Sequence, residues 1–128
     1  DMYMELQNYR ETNRSERLKQ VQHNLQLTKK QLVEANQSLM VDHLTQAYNR
    51  RSFDEHLKKC IKMYEFSSSP VTMLALDIDF FKKINDAYGH DIGDFVLIEC
   101  VKILKEVFHT SNDFVARIGG EEFCVVLS

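Results

Sequence analysis

Four acids stand where folding could gather them. Asp77 and Asp79 close the apolar run Val71-Thr72-Met73-Leu74-Ala75-Leu76, and Glu121 and Glu122 follow two glycines in Arg117-Ile118-Gly119-Gly120-Glu121-Glu122-Phe123. If a hairpin carrying the glutamates pairs beside the strand carrying the aspartates, up to four carboxylates meet at one sheet edge. Like charges at that spacing raise one another's pKa values unless a cation keeps them ionised. Hard oxygen donors without Cys or His suit Mg²⁺ or Mn²⁺ rather than zinc. Magnesium shares phosphate oxygens with one or two carboxylates, so the acids point to a metal–polyphosphate site. Each acid taken singly has an ordinary reading, the glutamates as solvated turn residues and Asp77 as a strand end. An Asp-Ile-Asp closing a strand expected to be buried on both faces argues for a partner, since a lone buried carboxylate is costly.

Residues 80–94 are expected to form a loop that could hold the phosphates. Backbone N–H groups following a strand cradle anions, and Lys82 or Lys83 adds positive charge. Asn85 and Asp94 complement guanine: a carboxylate accepts from its N1–H and amino group, and an amide meets the remaining edge. Asn and Asp are also common turn residues, and Asp94 suits the N-cap of a following helix.

The elements that must position these groups are legible from punctuation and period. Residues 1–69 contain neither Gly nor Pro; the glycines are 89, 93, 119 and 120 and the proline is Pro70. Long helices are therefore expected first and a tighter α/β arrangement afterwards. Leu18, Val21, Leu25, Thr28, Leu32, Ala35 and Leu39 alternate by three and four residues, the a/d pattern of a coiled coil with weak d positions. Met2, Leu6 and Tyr9 fit another register, so the seam shifts phase between residues 9 and 18. A parallel two-stranded coil and a single amphipathic helix lying on its own domain both fit this stripe. Phe53, Leu57, Cys60, Ile61 and Tyr64 predict a second helix from about Arg51 to Phe66, ended by Ser67-Ser68-Ser69-Pro70. A strand over 71–78, a helix over 94–108, and strands over 114–118 and 123–127 around a glycine-bearing turn complete the order. Ending within a strand leaves an unpaired edge, so the sequence reads as truncated.

Composition narrows the function classes. Net charge is −3, divided into +1 over residues 1–41 and −4 over 42–128, which disfavours a nucleic-acid partner held by a basic surface. A negative domain that binds a negative nucleotide needs a cation between them. No apolar run is long enough to span a membrane, so no membrane contact is expected within this segment. Cys60, Cys100 and Cys124 are far apart and lack zinc or redox spacing. They read as small core residues of a protein in a reducing, cytoplasmic compartment.

Three motifs in order carry a family resemblance across residues 42–123. Asp42-His43-Leu44-Thr45-Gln46-Ala47-Tyr48-Asn49-Arg50-Arg51 is similar to the D-x-L-T-x-x-x-N-R-R segment of GGDEF domains. Asp77 to Lys82 with Gly89-His90-Asp91-Ile92-Gly93-Asp94 resembles the family's nucleotide segment, and Gly119 to Phe123 its signature in the G-G-E-E-F form. The resemblance implies a coiled-coil stalk (1–41) and the first part of a palm-like α/β domain (42–128) with a mainly antiparallel central sheet. It implies a diguanylate cyclase that condenses two GTP into cyclic di-GMP and two pyrophosphates, as a homodimer set by the stalk. Asp77, Glu122 and the carbonyl of Ile78 would then hold Mg²⁺ or Mn²⁺. Glu121 would be a general base or second metal contact, and Gly119 and Gly120 would admit the substrate. Phe80 and Phe81 would offer amides to the phosphates beside Lys82, and Asn85 and Asp94 would read guanine. The family's inhibitory product site, R-x-x-D, keeps Asp113 but has Thr110 in place of Arg, so bidentate contact is lost there and no strong feedback is expected. A non-catalytic GTP-binding or dimerisation module is the alternative. A palm-type polymerase with a related acid pair is disfavoured by the guanine-reading residues and the D-x-L-T segment.

Overall fold

The computed structural model describes residues 1–128, which divide into two compact units, Asp1–Leu39 and Met40–Ser128. The first is nearly all of helix α1 (Met2–Met40), 39 residues with none buried. With no Gly or Pro to interrupt it, the helix runs about 58 Å at 1.5 Å per residue. Leu18, Val21, Leu25, Leu32 and Leu39 of the expected seam all face solvent. Thr28, at a weak d position, donates its hydroxyl to the Asn24 carbonyl one turn back (2.9 Å) and so satisfies it within the helix.

The second unit is a three-layer α/β/α arrangement. Its elements are α2 (Arg50–Ser67), β1 (Thr72–Asp77), α3 (Phe81–Tyr88), α4 (His90–Val107), β2 (Phe114–Arg117) and β3 (Glu122–Leu127). The sheet is antiparallel in the order β1-β3-β2. Along β3 the side chains alternate as a period of two requires. Phe123 and Val125 meet Leu97, Val101 and Leu104 of α4 on one face, while Val126 meets Phe53 and Cys60 of α2 on the other. Asn49 caps α2 by accepting from the Ser52 amide at 2.9 Å, worth about 1 kcal/mol.

Two expectations are corrected by these coordinates. The strand over 71–78 was expected to be buried on both faces, yet β1 is an edge strand whose residues are exposed except Leu74. It pairs only with β3, and α2 lies over the β2 side of the sheet, so its apolar run does not signify burial. The loop expected over 80–94 is instead two helices hinged at Gly89, and the second begins at His90 rather than Asp94. Gly89 has φ 91° and ψ 164°, a conformation essentially confined to glycine, and its N–H closes α3 by donating to the Asn85 carbonyl (2.8 Å). Gly93 lies inside α4, where a Cβ would collide with the Asn85 side chain. It permits close approach of α3 and α4 rather than ending a helix. Asp94, one turn inside α4, is therefore not its N-cap.

Candidate functional site

The carboxylates meet where β1 and β3 end. Asp77 is the last residue of β1, Glu122 the first of β3, and they are direct cross-strand partners, so both side chains leave the same face of the sheet. The Ile78 amide continues the ladder by donating to the Glu121 carbonyl at 3.2 Å. A cavity of about 230 Å³ lies beside the pair, lined by Ala75, Asp77, Ile118, Glu122 and Cys124 among others. Both acids are exposed and Glu121 is half-buried. The desolvation argument made for Asp77 from a buried strand thus falls away.

Of the four acids expected to converge, two are in register, and no three His, Cys, Asp or Glu side chains are grouped to hold a metal. Asp79 lies in the turn after β1 and Glu121 in the hairpin turn, outside the paired positions. The paired carboxylates nevertheless fit a hard divalent cation in donor type, because magnesium needs one or two carboxylates and takes its other oxygens from water and phosphate.

The signature turn is shaped by space rather than by unusual dihedrals. Gly89 is the one glycine with positive φ, so Gly119 and Gly120 do not need left-handed freedom. A Cβ on Gly119 would lie 3.1 Å from the Glu122 Oε2, whereas one on Gly120 would meet nothing within 4 Å. Gly119 thus leaves room for the Glu122 carboxylate over the turn. The amides of Ile118 and Gly119 both donate to the Glu122 carbonyl, at 2.8 and 3.3 Å.

Arg117 braces this turn, a role the sequence reading did not assign. Its Nε donates to the carbonyls of Gly119 (3.2 Å) and Gly120 (3.1 Å), and its Nη2 to Gly120 again (2.9 Å). Its Nη1 bonds both oxygens of Asp42, at 3.2 and 3.1 Å. Asp42 also accepts from the amide and hydroxyl of Thr45, at 2.9 and 2.7 Å. Partial burial pushes the Asp42 carboxyl up, but the Thr45 bonds and the Arg117 guanidinium together outweigh it and hold the group below its ordinary value. The available signal was one Arg ending a strand whose other residues, Phe114, Val115 and Ala116, are all buried.

Next to Asp42, contacts within the second unit tie residues 40–52 together and to the sheet. Tyr48 donates its amide to the Val115 carbonyl (3.1 Å) and accepts from the Arg117 amide (2.8 Å). Its ring stacks on Phe114 at 4.2 Å, as does His56 at 4.1 Å. The carbonyl of Met40 takes the Asn49 amide and the buried Ser52 hydroxyl, at 3.0 and 2.7 Å.

The expected phosphate and base residues lie on α3 and α4. Phe80 precedes α3 in the left-handed region (φ 59°), exposed, and Phe81 and Lys82 open the helix. Such a backbone at a bulky residue costs on the order of 1–3 kcal/mol. Asn85, on α3, keeps its Oδ1 buried without a hydrogen-bond partner, while Asp94 on α4 is exposed. An orphaned acceptor of this kind is rare and costly within a folded chain. Asp113 is engaged locally: its carboxylate accepts from the Thr110 amide (3.2 Å) and its own amide donates to the Thr110 carbonyl (3.1 Å). No helix is long and apolar enough to cross a membrane.

Comparison with known proteins shows which family the second unit resembles. The family described as "Diguanylate cyclase, GGDEF domain" matches residues 39–128. The response regulator PleD of Caulobacter vibrioides is 44% identical over 89 residues, 69% of this chain and 19% of PleD. The diguanylate cyclase DgcS of Shewanella oneidensis is 37% identical over 97 residues, 76% of this chain and 32% of that protein. Among solved structures, the coiled coil and GGDEF domain of DgcB from Caulobacter crescentus, in complex with c-di-GMP, aligns with a TM-score of 0.82 at 29% identity. It covers 87% of this chain and 58% of that one. The match therefore spans 19% and 32% of the length of these two curated relatives.

Proposed function

We propose, from the premise that this chain belongs to the GGDEF diguanylate cyclase family, that it supplies one half-site of an enzyme joining two GTP into cyclic di-GMP. The observation that carries the reading is the register pair Asp77–Glu122, with Gly119 opening space for the glutamate. Asp77, Glu122 and the Ile78 carbonyl would hold Mg²⁺ or Mn²⁺, which neutralises phosphate charge and polarises the reacting groups when bound. Glu121 would accept the proton of the attacking 3′-hydroxyl. The amides of Phe80 and Phe81 at the start of α3, with Lys82, would bind the terminal phosphates. Asn85 would meet guanine with its side-chain amide, and Asp94 would accept from the N1–H and amino group.

Each 3′-oxygen would attack the α-phosphorus of the other nucleotide and expel pyrophosphate, so two bonds form and two pyrophosphates leave. One such domain holds one GTP, so the reaction calls for two domains face to face. The exposed a/d seam of α1 supports a homodimer that would bring them together. Product feedback at the position of Asp113 would be weak, because Thr110 supplies an amide where an arginine fork would be needed.

GTP turnover by the protein with Mg²⁺, set against Glu122→Gln, tests this reading. Loss of turnover in the variant with the fold intact is expected, and equal activity would reject the ligand assignment. GTP binding without turnover in the unaltered protein would favour a non-catalytic binding and dimerisation module.

A further inference from the structure

The turn from β1 into α3 combines features that each disfavour the chain by itself. Phe80 sits in the left-handed region, which bulky side chains rarely enter, and no side chain caps the helix it precedes. The first turn of α3 holds Lys82 and Lys83 and no acid, the reverse of what the helix dipole favours. Neither lysine is ion-paired: the chain's pairs are Arg50–Asp54, Arg51–Glu55, Lys102–Glu99 and Arg117–Asp42. This holds although Asp79 and Asp86 are close by in sequence.

Lys83 has a different partner. Its Nζ lies 4.7 Å from the centroid of the Phe80 ring, inside the range of a cation–π contact. Helical side chains lean towards the N-terminus, so the contact draws the ammonium back over the opening of α3. Phe80 is 71% exposed as a residue and belongs to neither core cluster. Core burial therefore does not explain an aromatic residue at a strained position. The ring instead meets the lysine.

We propose that Phe80 is a positioning residue whose ring fixes the Lys83 ammonium at the start of α3, where Lys83 favours nucleotides carrying two or more phosphates over monophosphates. The proposal rests on the reading of this site as a GTP site. A positive charge held there, rather than swinging in solvent, acts on the charge of the phosphate chain. It leaves guanine recognition by Asn85 and Asp94 untouched. The conformational cost at Phe80 is then the counterpart of substrate selection.

The test measures binding of a non-reactive GTP analogue, GDP and GMP to the unaltered protein and to Phe80→Leu, Lys83→Met and their double variant. Thermal melting is recorded alongside, with Phe80→Gly as a further variant. Each single variant should weaken GTP-analogue and GDP binding roughly three- to ten-fold and GMP binding less than two-fold, a difference that shrinks with added salt. The double variant should bind like Lys83→Met, because without the ammonium the ring has nothing left to position. Phe80→Gly should melt higher while binding the GTP analogue more weakly, since glycine accepts the left-handed backbone without strain. A purely structural residue would move both readouts in the same direction. Equal losses for GTP analogue and GMP, additive losses in the double variant, or a lower melting point for Phe80→Gly would each overturn the proposal. Normal GTP binding unchanged in all variants rejects this proposal alone. No GTP binding by the unaltered protein rejects the site reading and this proposal with it.

Discussion

The signature turn and the β1–α3 turn lie at the two sides of the same carboxylate pair and are built in opposite ways. At the signature turn the carbonyls and the side chains that brace them are hydrogen-bonded. Arg117 spans the Gly119 and Gly120 carbonyls and the Asp42 carboxylate, Thr45 adds two bonds to Asp42, and the Glu122 carbonyl takes two amides. At the β1–α3 turn the chain carries an exposed edge strand, a left-handed Phe80, a helix start without a side-chain cap and two lysines without ion pairs. One side is closed by its own hydrogen bonds. The other is open in the way a ligand could complete. Rigidity on one side and unmet demand on the other is what a binding site on a stable support requires.

The contrast can be broken at several points. The largest expected effect is on the shared carboxylates. Glu122→Gln or Asp77→Asn should lower GTP turnover by at least about a hundred-fold, with melting nearly unchanged because both groups are exposed. Next comes the closed side. Arg117→Met should destabilise the fold by about 3 kcal/mol in urea titration, since it leaves Asp42 and the glycine carbonyls with fewer donors. A cycle with Asp42→Asn should show coupling of about 1–3 kcal/mol, and simple additivity would break the picture of a single brace. Gly93→Ala should cost about 1–3 kcal/mol by forcing Asn85 and α4 apart. It should also weaken guanine binding, and retention of both would show that the α3–α4 approach is not tight.

The smallest effects are in pH dependence, and both arise away from the β1–α3 turn. Because the folded Asp42 carboxyl lies below its ordinary value of 3.8, its stabilising contribution is complete above that value and is lost as pH falls through the folded pKa. His56 lies below 6.5, first through burial against Phe114 and then through the charge of Lys59. The unfolded chain therefore takes up this proton more readily, and stability starts to fall as pH drops below 6.5. Between pH 7.5 and 5.5 the unaltered protein should lose melting temperature relative to His56→Phe, which lacks the titrating group. A constant gap would remove His56 from the account.

How much of this was readable in advance differed by element. The helices α1 and α2, the strands and the antiparallel hairpin follow from period and punctuation. The motifs carried the family because their residues are contiguous. Burial of β1 was misjudged, since an apolar run shows that a strand can be covered and not that anything covers it. The region 80–94 was misread because Gly89 and Gly93 both look like punctuation. Only one is a hinge; the other is a contact point whose neighbour, Asn85, lies eight residues away in sequence. The role of Arg117 was hidden for a similar reason, its carboxylate partner being 75 residues upstream.

By itself the sequence determined which chemistry is available: hard acids, paired glycines, lysines after a strand, and a heptad seam. These are local properties, fixed by residue type and spacing along the chain. The tertiary structure alone decided that Asp77 faces Glu122, that Gly119 makes room for that carboxylate, and that Arg117 holds the turn from Asp42. Register and side-chain reach depend on how distant segments meet, and only the folded backbone sets those distances.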